Sequence, residues 1–225
     1  MREVSIVLIT LNEEKAVKKV VEGIYNTVPN AEIIIVDSST DKTPDIAKEL
    51  GCMVIRQFPP RGYGNAMILA LTTATKEIII TLDCDDTYPT EKIPELIYWI
   101  DHGYDIVNAS RLANRKPKNM PYGNFIANRC FAILTKILFR VPTTDILSGM
   151  RAYKKAIIHN IQWNPAGAAF PVELLIKPIK KGYKLKEISI DYKERIGEVT
   201  MRKFSSTWWT FKRIFYLKIG REYYT

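Results

Sequence analysis

Two carboxylates one residue apart, Asp83 and Asp85 in Thr81-Leu-Asp-Cys-Asp-Asp86, are the residues best suited to do chemistry in this chain. They follow Glu77-Ile-Ile-Ile80, an apolar β-branched run that predicts a buried strand, and precede Thr87-Tyr-Pro-Thr90, which predicts a turn into a helix. The pair therefore falls where a central strand ends, the edge at which open parallel sheets bind ligands. Two carboxylates so close repel each other unless a cation lies between them. Oxygen ligands of this kind suit Mg²⁺ or Mn²⁺, which share their coordination with substrate phosphates. A metal–diphosphate site on Asp83 and Asp85 is expected; a solvated acidic turn is the plainer alternative.

The elements around the pair predict the sheet that would position it. Val4-Ser-Ile-Val-Leu-Ile9 and Glu32-Ile-Ile-Ile-Val36 are buried-strand runs, and Met53-Val-Ile55 is a shorter one. Between them Val17, Val20, Val21 and Ile24 recur at helical spacing, and Thr43-Pro44-Asp45 marks a helix start with a capping hydroxyl. Asn12 is a candidate cap for the first helix, with Glu13 and Glu14 at its positive end. Strand–helix units with short loops imply a parallel, right-handed, sandwiched sheet. Asn12-Glu13, Asp37 and Asp83-Asp85 then meet at one edge, where Asp37 is placed to accept hydrogen bonds from a ribose or a base. Arg61-Gly-Tyr-Gly-Asn-Ala66 reads as a loop whose glycines let the backbone approach a ligand and whose arginine donates to phosphate. The first strand–helix turn, Ile9-Thr-Leu-Asn12, has no glycine, which argues against a nicotinamide dehydrogenase.

Further on, Ile93 to Ile100, Phe125 to Phe139 and Phe170 to Ile179 read as helices, and Ile106 to Ser110 and Leu185 to Ile190 as strands. The helix 125–139 carries Arg129 and Lys136 and suits either a core or a membrane interface. Asp145, Ser148 and Arg151 share a polar turn. The segment 204–225 holds Trp208, Trp209, Phe211, Phe215 and Tyr216 among Lys and Arg, a pattern for the headgroup zone of a membrane or for a packing helix with snorkelling lysines.

With 225 residues, 47% hydrophobic, one core and one main domain are expected. Cys52, Cys84 and Cys130 are scattered, which predicts neither a disulfide framework nor a metal-ligand spacing. No signal peptide and no run of ~18 apolar residues is read, so a peripheral protein is expected. The net charge of +9 is carried by residues 111–140 (+7) and 195–225 (+5), both interleaved with apolar and aromatic residues. A phosphorylated substrate, a membrane surface and nucleic acid are the partners such segments allow. Nucleic acid leaves the acidic strand ends unexplained, as does an adaptor acting through its tail alone.

In series, Leu11-Asn-Glu-Glu14, Val36-Asp-Ser-Ser-Thr-Asp41, Gly62-Tyr-Gly-Asn-Ala66, Leu82-Asp-Cys-Asp85, Ala109-Ser-Arg111, Ser148-Gly-Met-Arg-Ala-Tyr153 and Glu194-Arg-Ile-Gly197 resemble family 2 glycosyltransferases of the GT-A fold, specifically the polyprenyl (dolichyl) phosphate mannose or glucose synthases. The resemblance runs from residue 4 to about 204. It implies an α/β, Rossmann-like, mostly parallel sheet between helices over 1–203; the amphipathic C-terminal helix expected over 204–225 rests on its own aromatic and basic pattern, as a membrane-surface anchor or a packing helix. It implies a nucleotide sugar (GDP-mannose or UDP-glucose) held by Thr10, Asn12, Glu13, Asp37, Arg61, Gly62, Asp83 and Cys84, with Mg²⁺ or Mn²⁺ on Asp83 and Asp85. It implies catalytic roles for Asp85, Arg111, Arg129, Ser148 and Arg195, and an acceptor phosphate on Arg111, Arg129, Ser148, Arg151 and Lys203. The chain departs from the family at Asp37-Ser-Ser39, where Asp-Asp-Gly or Asp-Asn-Ser is commoner. It departs again after Gly197, where the usual Ser-Lys pair gives way to Glu198-Val-Thr-Met and the basic partner becomes Arg202 or Lys203. The implied reaction is inverting hexose transfer to a polyprenyl phosphate at the cytoplasmic face of a membrane. A saccharide hydroxyl acceptor is the alternative; it needs a general base, for which Asp86 and Glu173 are the candidates.

Overall fold

Strand β1 (Val4–Thr10) sends Val4, Ile6 and Leu8 into one core and Val7 into another, as the two-residue period of a pleated strand requires. β2 (Glu32–Asp37) and β4 (Ile78–Thr81) do the same: Ile33, Ile35, Ile78 and Ile80 face one side, and Ile34, Val36 and Ile79 the other. A strand covered on both faces has no polar side to show, which is why these runs are continuously apolar. The computed structural model describes residues 3–165, 167, 169–197 and 203–220, with the side chains of 203–206 excepted.

Seven strands form one sheet in the order β3-β2-β1-β4-β6-β5-β7, with β3 at Met53–Arg56, β5 at Ile106–Ser110, β6 at Arg151–Lys154 and β7 at Leu185–Ser189. All neighbouring pairs are parallel except β4–β6 and β5–β6. One face is covered by α1 (Val17–Thr27), α2 (Thr43–Glu49) and α4 (Ile93–Asp101). The other is covered by α3 (Tyr63–Thr73), α5 (Tyr122–Phe139), α6 (Lys155–Asn160) and α7 (Phe170–Lys180). α8 (Lys203–Ile219) packs on α5 and α7 through buried Thr210, Arg213 and Ile214.

Four local expectations are corrected. Arg151 opens β6, a four-residue antiparallel strand, instead of lying in a turn. The stretch read as a glycine loop is the start of α3, with Gly62 at φ 88° just before it. Gly64 is needed for packing: a Cβ there would fall 1.8 Å from the Pro165 carbonyl oxygen. Asn12 caps no helix; at φ 60° its Oδ1 accepts the Thr40 N–H at 2.9 Å and so ties the β1 loop to the β2 loop. The Thr43 hydroxyl accepts the Glu13 N–H at 2.9 Å instead of capping α2, and Asp41 takes the Thr43 N–H at 3.0 Å.

Candidate active site

Parallel register brings the ends of β1, β2 and β4 to one edge, and the loops beyond them wall a cleft of about 470 Å³. Thr10, Glu13, Gly62, Asp83, Cys84, Asp85, Arg111 and Arg195 line it. A second chamber of about 440 Å³ adjoins it, roofed by α5 and α8 through residues such as Asn124, Asn128, Phe131 and Thr210. The two share Asp85, Arg111, Leu147, Tyr192, Arg195 and Thr210 as a common wall.

Asp83 is the open carboxylate of the pair: among the described residues no hydrogen bond or ion pair engages it. It stands against Gly149, where a Cβ would lie 2.4 Å from its Oδ2, so glycine there makes the room. Burial first, and Asp85 second, push the Asp83 carboxyl up, while Arg111, Arg195 and Arg151 pull it back. Asp85 is committed on both sides. Its Oδ1 accepts the Thr87 N–H at 3.1 Å and hydroxyl at 2.5 Å, and its Oδ2 accepts Arg195 Nη1 at 3.0 Å. Arg195 Nη2 donates to Glu13 Oε1, so a single guanidinium bridges two of the three acids. Glu13 is pushed up to about 7 by burial, with Asp85 and Asp83 adding and Arg195 opposing. The segment carrying Arg195 lies across the site, with Lys193 N–H on Thr87 O at 2.9 Å and Ile196 N–H on Asp85 O at 3.0 Å.

Arg111 follows β5 directly and is gripped by Asp145, through Nε at 2.7 Å and Nη2 at 2.9 Å, over the ring of Tyr192. Asp145 is fully buried, yet Arg111 outweighs that burial and holds its carboxyl below the usual range. Asp37 is also fully buried, and its oxygens are filled by the Thr10 hydroxyl (2.7 Å), the Ser39 hydroxyl (2.6 Å) and N–H (3.1 Å), and Arg56. It braces the end of β2 and leaves no lone pair open for a ribose. The Cys84 side chain sits in the core, where burial pushes its thiol well up, and only its place between the acids brings it to the cleft.

Several expected residues lie elsewhere. The Ser148 hydroxyl is buried and donates to Ala109 O at 2.6 Å. Arg151 is enclosed, donating to Asn108 Oδ1 (2.7 Å), Pro171 O (2.6 Å) and Ile146 O (2.5 Å), so neither is presented to a phosphate. Arg129 reaches Leu112 O at 3.4 Å and lines neither chamber. Arg61 is exposed and outside the lining, with its carbonyl holding Asn65. Arg202 and the Lys203 side chain lie outside the described residues. Conversely, Tyr192, Asn124, Asn128 and Gly149 went unread as site residues; only Gly149, inside Ser148-Gly-Met-Arg151, carried a sequence signal.

This is the architecture of a glycosyltransferase with the GT-A fold. Residues 5–162 match the model of Glycosyl transferase family 2, and the chain belongs to that family. It is 38% identical over 204 residues to a dolichyl-phosphate hexose transferase of Haloferax volcanii, covering 90% of this chain and 88% of that one. It is 30% identical to a dolichol-phosphate mannosyltransferase of Pyrococcus furiosus, covering 78% of this chain and 53% of that one, so it spans about half of that relative's length. Among solved structures, the fold is similar to glucosyl-3-phosphoglycerate synthase from Mycobacterium tuberculosis, with TM-score 0.79 and 20% identity over 99% of this chain and 81% of that one. That enzyme has also been solved with Mn²⁺, UDP and glucosyl-3-phosphoglycerate.

An acid whose native pKa is raised binds more protons folded than unfolded, so its ionisation opposes folding above its ordinary pKa. Asp83→Asn is therefore expected to stabilise the ligand-free protein at pH 7.5, by about 1 kcal/mol in urea unfolding. The gap to the native chain should narrow as the pH falls through the raised pKa and close only below about pH 3, where the unfolded carboxyl is protonated too.

Proposed function

We propose that the protein transfers a hexose, mannose or glucose, from GDP-mannose or UDP-glucose to a polyprenyl (dolichyl) phosphate, with inversion and with Mg²⁺ or Mn²⁺. The observation that carries this reading is the pair of adjoining chambers. The first holds Glu13, Asp83 and Asp85; the second adds no carboxylate of its own to the shared Asp85, but does add Lys193 to the shared Arg111 and Arg195. An acidic chamber fits a metal-bound diphosphate, and a basic one fits an anionic acceptor. The names of the Haloferax and Pyrococcus relatives favour the same acceptor.

The residues fit a divalent ion. Asp83 offers two open oxygens in a cradle that a side chain at 149 would fill, and Asp85 lies beside it. With two carboxylates from the protein, a Mg²⁺ or Mn²⁺ held here would take the rest of its oxygen ligands from diphosphate and water. A bound Mg²⁺ or Mn²⁺ supplies a Lewis acid for the leaving nucleoside diphosphate. Arg111 and Arg195, on the shared wall, hold the two anions close enough to react. A phosphate monoester, with its second pKa near ~6, is largely a dianion at neutral pH and attacks without a base. The candidate bases for a saccharide acceptor are otherwise engaged. Asp86 pairs with Lys19 at 2.6 Å, and Glu173 is buried with Arg213 and Lys177, each at 2.6 Å. Neither lines the two chambers.

A lipid acceptor calls for an enzyme at a membrane surface, and the cytoplasmic face is the side proposed. Tyr122, Ile126, Ile133 and Ile137 are exposed along α5, and Trp208, Phe211, Phe215 and Ile219 along α8, at helical spacings. Lys136, Arg140 and Lys218 lie among them. Such faces suit the interfacial zone, and no described helix is long and apolar enough to cross a membrane.

Purified protein with Mn²⁺, a short polyprenyl phosphate and labelled GDP-mannose or UDP-glucose in separate tubes is expected to move label from one donor into the organic phase. Chelator and Asp85→Ala should each remove at least about 99% of it. Label in no tube, despite metal-dependent nucleotide binding, would reject the lipid-phosphate acceptor. Sedimentation with anionic vesicles should carry the protein down, and Trp208→Ser with Phe215→Ser should weaken that by about tenfold; equal sedimentation of the double variant would overturn the membrane contact.

A further inference from the structure

Arg111 has no freedom to turn, and the cause lies behind the cleft. A guanidinium presents its donors on fixed edges of a plane. Asp145 takes the Nε/Nη2 edge, at 2.7 and 2.9 Å, and adds the Arg111 backbone N–H at 3.2 Å. Among the described residues no hydrogen bond engages Nη1, so the opposite edge, Nη1 with the second N–H of Nη2, is left for the shared wall of the two chambers.

Asp145 is in turn fixed from outside the site. Its backbone carbonyl accepts Asn108 Nδ2 at 2.9 Å, and its N–H donates to Thr143 Oγ1 at 3.2 Å. Thr143 and Thr144 are held by one carboxylate, Glu187 on β7, which accepts the Thr143 hydroxyl, the Thr144 N–H at 2.9 Å and the Thr144 hydroxyl at 2.6 Å. Asn108 on β5 is the register partner of Glu187, donates to it at 3.3 Å, and accepts Arg151 Nε at 2.7 Å. Arg151 closes the frame on Ile146 O at 2.5 Å. The result is a polar relay from an outer strand to one guanidinium, none of whose members except Arg111 lines either chamber. Buried polar networks of this kind are worth their desolvation only when every member is satisfied, and they fix geometry when they are.

We propose that Asp145, held in place by Glu187, is the positioning residue that aims the free edge of Arg111 at a phosphate on the shared wall. The proposal rests on the reading of Arg111 as a phosphate holder, but the orientation of the side chain can be read without any substrate. Asn at 145 keeps one acceptor oxygen and turns an amide donor toward a guanidinium donor, so the two-point grip is lost while the volume stays.

The test has two arms. In arginine-labelled protein, the Nε–Hε resonance of Arg111, assigned by its loss in Arg111→Lys, is expected to be protected from solvent exchange. In Asp145→Asn it should exchange at least about tenfold faster. Equal protection in both would overturn the proposal. In the transfer assay, Asp145→Asn is expected to lower kcat/KM for polyprenyl phosphate by about 30-fold, yet by less than about twofold in the Arg111→Ala background. The same factor in both backgrounds would mean that Asp145 acts through the fold alone. Should Asp145→Asn fold poorly, Glu187→Gln is read in its place and is expected to shift both arms in the same direction by about fivefold. No transfer by the native protein, with the Arg111 resonance protected and released in Asp145→Asn, would reject the lipid-phosphate reading and leave the positioning role standing.

Discussion

Crowded negative charge at the end of β1 and β4 is the constraint on which the rest of this molecule depends. Glu13, Asp83 and Asp85 lie within reach of one another's fields, and burial raises the cost of the Glu13 and Asp83 charges. The structure answers with arginines. Arg195 spans Asp85 and Glu13, and Arg111 faces Asp83 from the shared wall. Asp83 keeps the least compensation, and it is the carboxylate that a divalent ion would meet first. Crowded, costly charge of this kind marks a cation-binding site.

The surrounding architecture follows from keeping that cluster in place. β1 lies between β2 and β4, so the loops that follow the three strands converge without long connections. Asn12 and Thr43 stitch the first two loops together, and saturated Asp37 braces the second. On the far side, antiparallel β6 is inserted between β4 and β5 and delivers Gly149 against Asp83 and Arg151 into the frame behind Arg111. The second chamber exists because α5 and α8 close over that side, with α8 keeping one face buried and one exposed.

Much of this was legible in the sequence. β1, β2 and β4 are continuous β-branched runs because both faces of the sheet are covered, and their terminal acids mark the ligand edge. β6 was not legible: four residues, Arg-Ala-Tyr-Lys, carry no period, and a buried arginine at the first of them reads as a polar turn. α3 was hidden by Gly62 before it and Gly64 within it, and by being apolar nearly all round, since it is buried against β1 and β2. The meeting of Asp85 with Arg195, 110 residues apart, has no local signature; the ordered motif series put Arg195 at the site as a phosphate holder but not against Asp85. Residue types also failed to tell direction. Ser148 and Arg151 have the chemistry to hold a phosphate, yet their donors are spent on backbone carbonyls inside the frame.

The central claim is that Asp83 and Asp85 form a metal site completed by a nucleotide diphosphate. Mn²⁺ electron paramagnetic resonance, titrated with and without UDP or GDP, tests it most directly. Weak Mn²⁺ binding to the protein alone, tightened at least about tenfold by one of the two nucleotides and lost in Asp83→Ala, is the expected result. Mn²⁺ bound equally well with and without either nucleotide, or unaffected by Asp83→Ala, would contradict it.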